Sequence, residues 1–245
     1  MSKNILSSNL LDRPAELMIV SGEYPELRAS LSKLGIKTVA TTADNRLPGP
    51  VQWHPDMQVC IIGGKAIVLR DGNLHNVLSR YDIPVLQTLG LPKPVYPGDV
   101  LCNVLAWNGY VLGNFKTADV TIRQAAEKIQ AAWLDVKQGY AACATVLVDE
   151  KSAITADEGI ARCLEKNGMN VLLIHSGDIL LPGYPYGFIG GGCGKLAPDV
   201  MAFAGKLDSH RDNEHIRAFL NIRGIKVVEL LDGELLDVGG LVALC

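Results

Sequence analysis

The sequence predicts an α/β protein, a single domain over residues 1–245 made of five ββαβ units closed into a ring. Three observations carry this reading. An apolar stripe with i, i+3, i+4 spacing recurs along the chain, as on a helix with one buried face. A β-rich run begins at a near-constant offset after each stripe, and a tight-turn signal with short β-rich flanks precedes it. Tandem units of this size imply a stacked or closed repeat architecture, and five mixed α/β units favour closure.

The units follow in order. In the first, Leu27, Leu31 and Leu34 form the stripe and Val39 begins the strand. The second opens with "VCIIGGKAIVL", whose Gly63-Gly64 suits a hairpin turn because glycine tolerates positive φ. Its stripe is Leu74, Val77 and Leu78, and Val85-Leu86 follows eleven residues after Leu74. The third has "NVLAWNGYVLG" with an Asn108-Gly109 turn, then Ile122, Ala125, Ala126 and Ile129. There Val136 lies fourteen residues after Ile122, which predicts one additional helical turn. The fourth has "TVLVDEKSAIT" turning at Asp149-Glu150, then Ile160, Cys163 and Leu164, with Val171-Leu172 again eleven residues on. In the fifth, Gly205 with Lys206 is read as the turn, and Ile216, Phe219 and Leu220 precede Val227-Val228 at the same offset. Pro55-Asp56-Met57 and Pro198-Asp199-Val200 look like matching approaches to the turns of the second and fifth units. Gly35, Gly168 and Gly224 sit where a C′ glycine would end three of the helices. Residues 1–14 are expected to close the ring by pairing with the last unit.

Composition narrows the function classes. With 23 Lys and Arg against 26 Asp and Glu, the net charge of -3 supplies no basic field for nucleic acid. No apolar run reaches membrane-spanning length, and "MSKNILSSNLLDRPAE" lacks the apolar stretch of a secretory signal, so a cytoplasmic address is expected. Six cysteines are spread too widely for CxxC zinc or redox spacing; reduced thiols, no metal and no cofactor are expected. His210 and His215 miss the i, i+4 spacing of a helical metal pair and read as a solvated helix start. The glycine-rich "GFIGGGCGKLAPD" fails as a P-loop, because Ile189 and Leu196 stand where Gly and Ser or Thr are needed.

The stretches "QWHPDMQVC", "GYAACATVLVDEKSAITAD", "LPGYPYGFIGGGCGK" and "DVGGLVALC" together resemble a bacterial family assigned to the pentein, or guanidino-modifying-enzyme, fold. That superfamily includes arginine and agmatine deiminases, dimethylarginine dimethylaminohydrolases and amidinotransferases. The resemblance implies a five-bladed, pseudo-five-fold α/β propeller. The segments leading into each first strand then converge near the axis: His54 to Asp56, Asp99 to Asn103, Tyr140 to Cys143, Gly190 to Lys195, and Asp237 to Cys245.

It also implies a chemistry: a thiolate attacks a guanidinium carbon, an acid/base moves protons, and carboxylates hold the planar cation. His54, Asp56 and Cys143 are the candidate catalytic residues. Asp99, Asn103, Cys193, Lys195, Asp199 and Asp237 are the candidate substrate-binding residues. Asp56 with Asp99, Asp199 or Asp237 could grip the cation, and Cys143, Cys193 or Cys245 could be the nucleophile. A His-x-Asp on one strand would project His54 and Asp56 to the same side. Lys195 with bare glycine N–H groups could meet a ligand carboxylate, and Tyr186 could wall the pocket. The sequence departs from the enzymes in placing Leu244 where they have the last-repeat cysteine, and Cys143 where they have a histidine. The expected partner is a small guanidino or amino-acid-like molecule, turned over as by a hydrolase or transferase; the alternative is a catalytically inactive ring that binds a ligand or a protein.

Overall fold

The computed structural model describes residues 9–81 and 83–244. Chain order runs β1 (Leu17–Val20), α1 (Pro25–Lys33), β2 (Lys37–Ala40), then the one-turn α2 (Pro55–Gln58), β3 (Val59–Ile62), β4 (Lys65–Val68), α3 (Asn73–Leu78) and β5 (Val85–Gln87). It continues with β6 (Leu105–Trp107), β7 (Tyr110–Gly113), α4 (Val120–Lys128) and β8 (Ala132–Asp135). The one-turn α5 (Ala141–Ala144), β9 (Thr145–Asp149), β10 (Ser152–Thr155), α6 (Glu158–Lys166) and β11 (Asn170–Leu173) follow. The chain ends with β12 (Cys193–Ala197), β13 (Val200–Phe203), α7 (Asn213–Ile222), β14 (Lys226–Glu229) and β15 (Val242–Leu244).

Four blades are contiguous: β3-β4-β5, β6-β7-β8, β9-β10-β11 and β12-β13-β14. In each, the first strand is antiparallel to the middle one and the last is parallel to it after a helical crossover. The remaining blade is assembled from both ends of the chain, with β15 antiparallel to β1 through Leu17↔Leu244, Met18↔Ala243 and Ile19↔Val242. The ring is therefore closed by Leu17–Val20; before it, the Ala15 N–H donates to Leu196 O of the fifth blade (2.8 Å) and Leu11 packs in the same seam as Leu196 and Ala202. Residues 1–8 and Cys245, on which part of the closure expectation and one nucleophile candidate fall, lie outside the described residues.

Among the described residues the core forms five clusters, one at each seam between blades. Val59 and Ile61 pack with Ile19 and Val39 of the first blade, while Cys60 and Ile62 on the other face pack with Ala106 and Val111 of the third. Leu105, Trp107 and Leu112 meet Leu147 and Ala153. Val146, Val148 and Ile154 meet Met201 and Phe203, and Ala202 and Leu196 meet Met18 and Ala243. Each strand thus buries alternate residues in two different seams, which is why the strands read as continuous apolar runs. The helix stripes fill the same seams: Leu27 and Leu31, Leu74 and Leu78, Ile122 and Ala125, Ile160 and Leu164, Ile216 and Leu220.

Two local expectations are corrected. The third unit has no additional turn: Trp133, eleven residues after Ile122, pairs with Val111 just as Val171 pairs with Ala153. Trp133 holds that register because its indole N–H donates to Gly113 O (2.9 Å) and its ring meets Phe115 edge-on. The fifth-unit hairpin turns at Pro198-Asp199, between β12 and β13, and Gly205 lies beyond β13. Gly205 has φ +133°, and Glu234 O lies 2.2 Å from where a Cβ would stand, so the glycine serves a close backbone crossing. The resemblance between the Pro-Asp pairs at 55 and 198 is thus coincidental. Gly35, Gly168 and Gly224 do take positive φ after their helices.

Candidate active site

Three of the five lead-in segments turn through short helical or looped stretches that bury polar groups against the axis, and hydrogen bonds lace all five in a circle. Asp56 N–H donates to Gly239 O (3.0 Å), Asn103 Nδ2 donates to Asp56 O (3.2 Å), and Ala142 N–H donates to Asn103 Oδ1 (2.8 Å). Gly191 N–H donates to Cys143 O (3.1 Å), and Val238 and Gly240 N–H donate to Gly191 O (2.9 and 2.7 Å), which returns to the first blade. Side chains inside this circle are held by backbone from neighbouring blades.

His54 and Asp56 do not lie on a strand. His54 precedes α2, Pro55 is its first residue and Asp56 its first-turn acid, a combination suited to a helix start. Both are buried: His54 is 1% and Asp56 6% exposed. The His54 ring is pressed against Gly239, where an added Cβ would come within 2.4 Å of His54 Cβ. Its Nδ1 lies 3.6 Å from Asp237 Oδ1 and 4.0 Å from Asp56 Oδ1. Asp237 is oriented by N–H groups of Phe188 (2.8 Å) and Gly239 (3.0 Å). Cys143, in α5, receives the Asn103 Nδ2–H on its Sγ (2.9 Å).

A cavity of about 270 Å³ opens above His54, Cys143 and Asp237. Its walls are aromatic: Tyr140, Tyr184, Tyr186 and Phe188. Tyr96, Tyr140 and Phe188 form a layered stack with centroid spacings of 5.8 and 6.1 Å. Asp56 lies behind this floor and lines a second, smaller void of about 50 Å³ on the other side.

The electrostatics are those of a buried acidic centre. His54 Nε2 is buried without a hydrogen-bond partner among the described residues, and the buried Asp56 carboxylate is approached by the Cys143 thiol and the Met57 N–H. The only basic group within 4 Å of Asp56 or Asp237 among the described residues is His54. Burial, then the Asp237 charge, raise Asp56 from its ordinary 3.8 to about 6 against the pull of His54. Burial and the Asp56 and Asp237 charges push the Cys143 thiol well up, opposed by the Asn103 amide. Asp99 accepts the Tyr140 hydroxyl proton (2.5 Å), and burial followed by this carboxylate raises Tyr140.

The structure brings together His54, Asp56, Cys143, Asn103 and Asp237, with Asp99 one residue removed behind Tyr140. Asn103 braces the thiol and the circle, and its amide is fully used in doing so. Cys193 and Lys195 belong to β12 and line the smaller void, away from the aromatic cavity. The Lys195 ammonium donates to Pro198 O at the turn of its own hairpin. Asp199 is at the tip of that hairpin and faces Lys226 Nζ at 3.4 Å, so the corrected turn position removes it from the axis. His210 is buried, not solvated, and its Nδ1 accepts the Asp212 N–H at 3.0 Å. Sequence reasoning did not single out Tyr140, Tyr184 and Phe188; the aromatic clustering of "GYPYGF" was the available signal.

No helix among the described residues is long and apolar enough to cross a membrane, and no curated protein matches the chain. Among solved structures, inosamine-phosphate amidinotransferase from Streptomyces griseus matches with TM-score 0.61 at 13% identity, covering 99% of this chain and 97% of that one. DDAH from Pseudomonas aeruginosa complexed with citrulline matches with TM-score 0.55 at 11% identity over 89% and 92%. Agmatine deiminase from C. jejuni gives 0.56 at 11% identity over 93% and 92%. These likenesses show the pentein propeller fold. A family model described as a family of unknown function (DUF6873) matches residues 19–242, and the chain therefore belongs to that pentein-fold family.

Proposed function

We propose that this protein modifies a guanidino or amidino group by cysteine-dependent chemistry in the aromatic cavity. One observation carries the reading. Asp56 and Asp237 are buried beside a thiol and an imidazole with no Lys or Arg paired to them among the described residues. Buried carboxylates ordinarily have a compensating cation, and a bound guanidinium supplies it. The fold neighbours include an amidinotransferase and agmatine deiminase, which agrees with such a ligand.

The proposed roles follow from position. Asp237 faces the cavity and takes the cation's N–H groups. The cation, once bound, favours the thiolate of Cys143, and Asp56, with a pKa near 6, receives the thiol proton. Sulfur attack forms a C–S bond, and the departing amine breaks its C–N bond and leaves with a proton from His54. Water or an acceptor amine then gives its proton to His54, attacks the same carbon and breaks the C–S bond, and the thiolate recovers its proton from Asp56. Water makes the enzyme a hydrolase and an amine makes it a transferase.

The raised Cys143 thiol, buried beside Asp56 and Asp237, favours a second reading, a ring that binds the cation without turnover. A matched pair of electrophiles separates the cases. Cationic 2-chloroacetamidine is expected to alkylate Cys143 about ten-fold or more faster than neutral 2-chloroacetamide, with the advantage lost in Asp237→Asn. Equal rates would overturn the cation-binding reading. Alkylation with the expected preference, but no amine released from agmatine or from butylguanidine with or without an acceptor amine, would favour the binder.

A further inference from the structure

We infer that the ligand is a guanidinium or amidinium carrying an apolar or aromatic body and no carboxylate, so the site selects against amino acids. The inference rests on the cation-binding reading above and concerns the other end of the ligand. A free amino-acid substrate needs a second pole, a cationic or N–H-rich patch for its α-carboxylate. Here the cavity above His54, Cys143 and Asp237 has no Lys or Arg among its described lining residues.

Its donors are also committed or neutral. The Tyr140 hydroxyl donates its hydrogen bond to Asp99, which leaves its oxygen presenting no donor to a ligand. Tyr184 and Tyr186, each 43% exposed at the mouth, offer only uncharged hydroxyls. Beyond Tyr186 and Phe188, which both cavities share, lies an adjoining pocket of about 200 Å³. It adds no Lys or Arg either; its His175 is engaged by the Asp212 carboxylate (3.0 Å), and its own acidic group is Asp157. The N-terminus of α6 beside it is already capped, because Asp157 Oδ1 accepts the Ile160 N–H (2.9 Å). A ligand carboxylate would therefore meet Asp237, Asp99 behind Tyr140, and Asp157, with no Lys or Arg in either lining and with both lining histidines, His54 and His175, already facing carboxylates.

The walls indicate what does fit. Tyr140, Phe188, Tyr184 and Tyr186 present ring faces and edges to a volume of about 270 Å³. That is near the lower end for small-molecule sites. Aromatic walls favour apolar chains and rings and also attract cations, while an anion gains nothing from them.

Butylguanidine and 4-guanidinobutanoate differ only in replacing a terminal methyl by a carboxylate, and calorimetric titration of the full chain with each tests the inference. Butylguanidine is expected to bind about ten-fold or more tightly. Tyr184→Arg, a change at an exposed wall position, is expected to reduce that ratio about five-fold by supplying the missing pole. Equal or tighter binding of 4-guanidinobutanoate to the unaltered chain would overturn the inference while leaving the cation-binding reading intact. If neither compound binds, both fall together.

Discussion

At the scale of single residues, one amide does what backbone does elsewhere in the circle. Asn103 joins the second, third and fourth blades by donating to Asp56 O and accepting from Ala142 N–H. The role takes both a donor and an acceptor on one short side chain. Asp56 beside it is held at a cost, which makes its ionisation measurable as stability. Its folded pKa of about 6 stands above the ordinary 3.8. Between those values the folded protein holds a proton that the unfolded chain has lost, so this group makes stability fall as pH rises through roughly pH 4 to 6. The groups facing it, His54, Asp237 and Cys143, contribute no compensating fixed cation. Asp56→Asn is therefore expected to be more stable than the parent at pH 7 by on the order of 3 kcal/mol, and no more stable at pH 4. Urea denaturation at the two pH values reads this directly; an equal effect at both would remove ionisation as its cause.

At the scale of elements, the fifth blade's lead-in crosses that of the fourth at a position that has no side chain. A Cβ on Gly190 would lie 2.4 to 2.6 Å from the carbonyl oxygens of Ala142, Cys143 and Thr145, all backbone atoms that cannot step aside. Gly190→Ala is expected to cost about 3 kcal/mol or more and to abolish selective alkylation of Cys143. Gly224→Ala is the contrast: it has φ +68° but open space around it, and is expected to cost about 1 kcal/mol with alkylation unchanged. Thermal denaturation and the electrophile assay check both. The same division explains what could be read from sequence. Helices and hairpins announced themselves because periodicity and paired glycines act locally: Ile160, Cys163 and Leu164 mark α6, and Gly63 and Gly64 take φ +58° and +73° between β3 and β4. The Pro198-Asp199 turn escaped because β12 and β13 shift register between Lys195 and Ala197, so no regular pattern frames it. His54-Pro55-Asp56 read as extended although Pro at a helix start is equally consistent with its sequence. The aromatic walls come from stretches without periodicity, and only the closed ring shows which of those face the cavity.

At the scale of the whole molecule, the central cavity exists only if the last strand meets the first. His54 and Asp237 are 183 residues apart yet stand 3.6 Å from each other because β15 completes the sheet of β1. Ala243 and Leu244 also fill the two seams flanking that blade. With five seams each joining neighbours, the loss of one should be felt around the ring, and we propose that the chain unfolds as one domain. Trp53, Trp107 and Trp133 all lie in the first 138 residues, so tryptophan fluorescence watches that half while far-ultraviolet circular dichroism watches the whole. Coincident urea transitions by both probes are expected for one cooperative ring. Two unrelated α/β domains divided near residue 138 would instead give a dichroism step that fluorescence does not follow. Deleting residues 242–245 extends the comparison: it removes three residue pairs at β1 and is expected to lower the fluorescence midpoint as well, although no tryptophan lies in β15. A deletion that shifted dichroism alone would mean that the two halves fold independently and that the shared cavity is not what couples them.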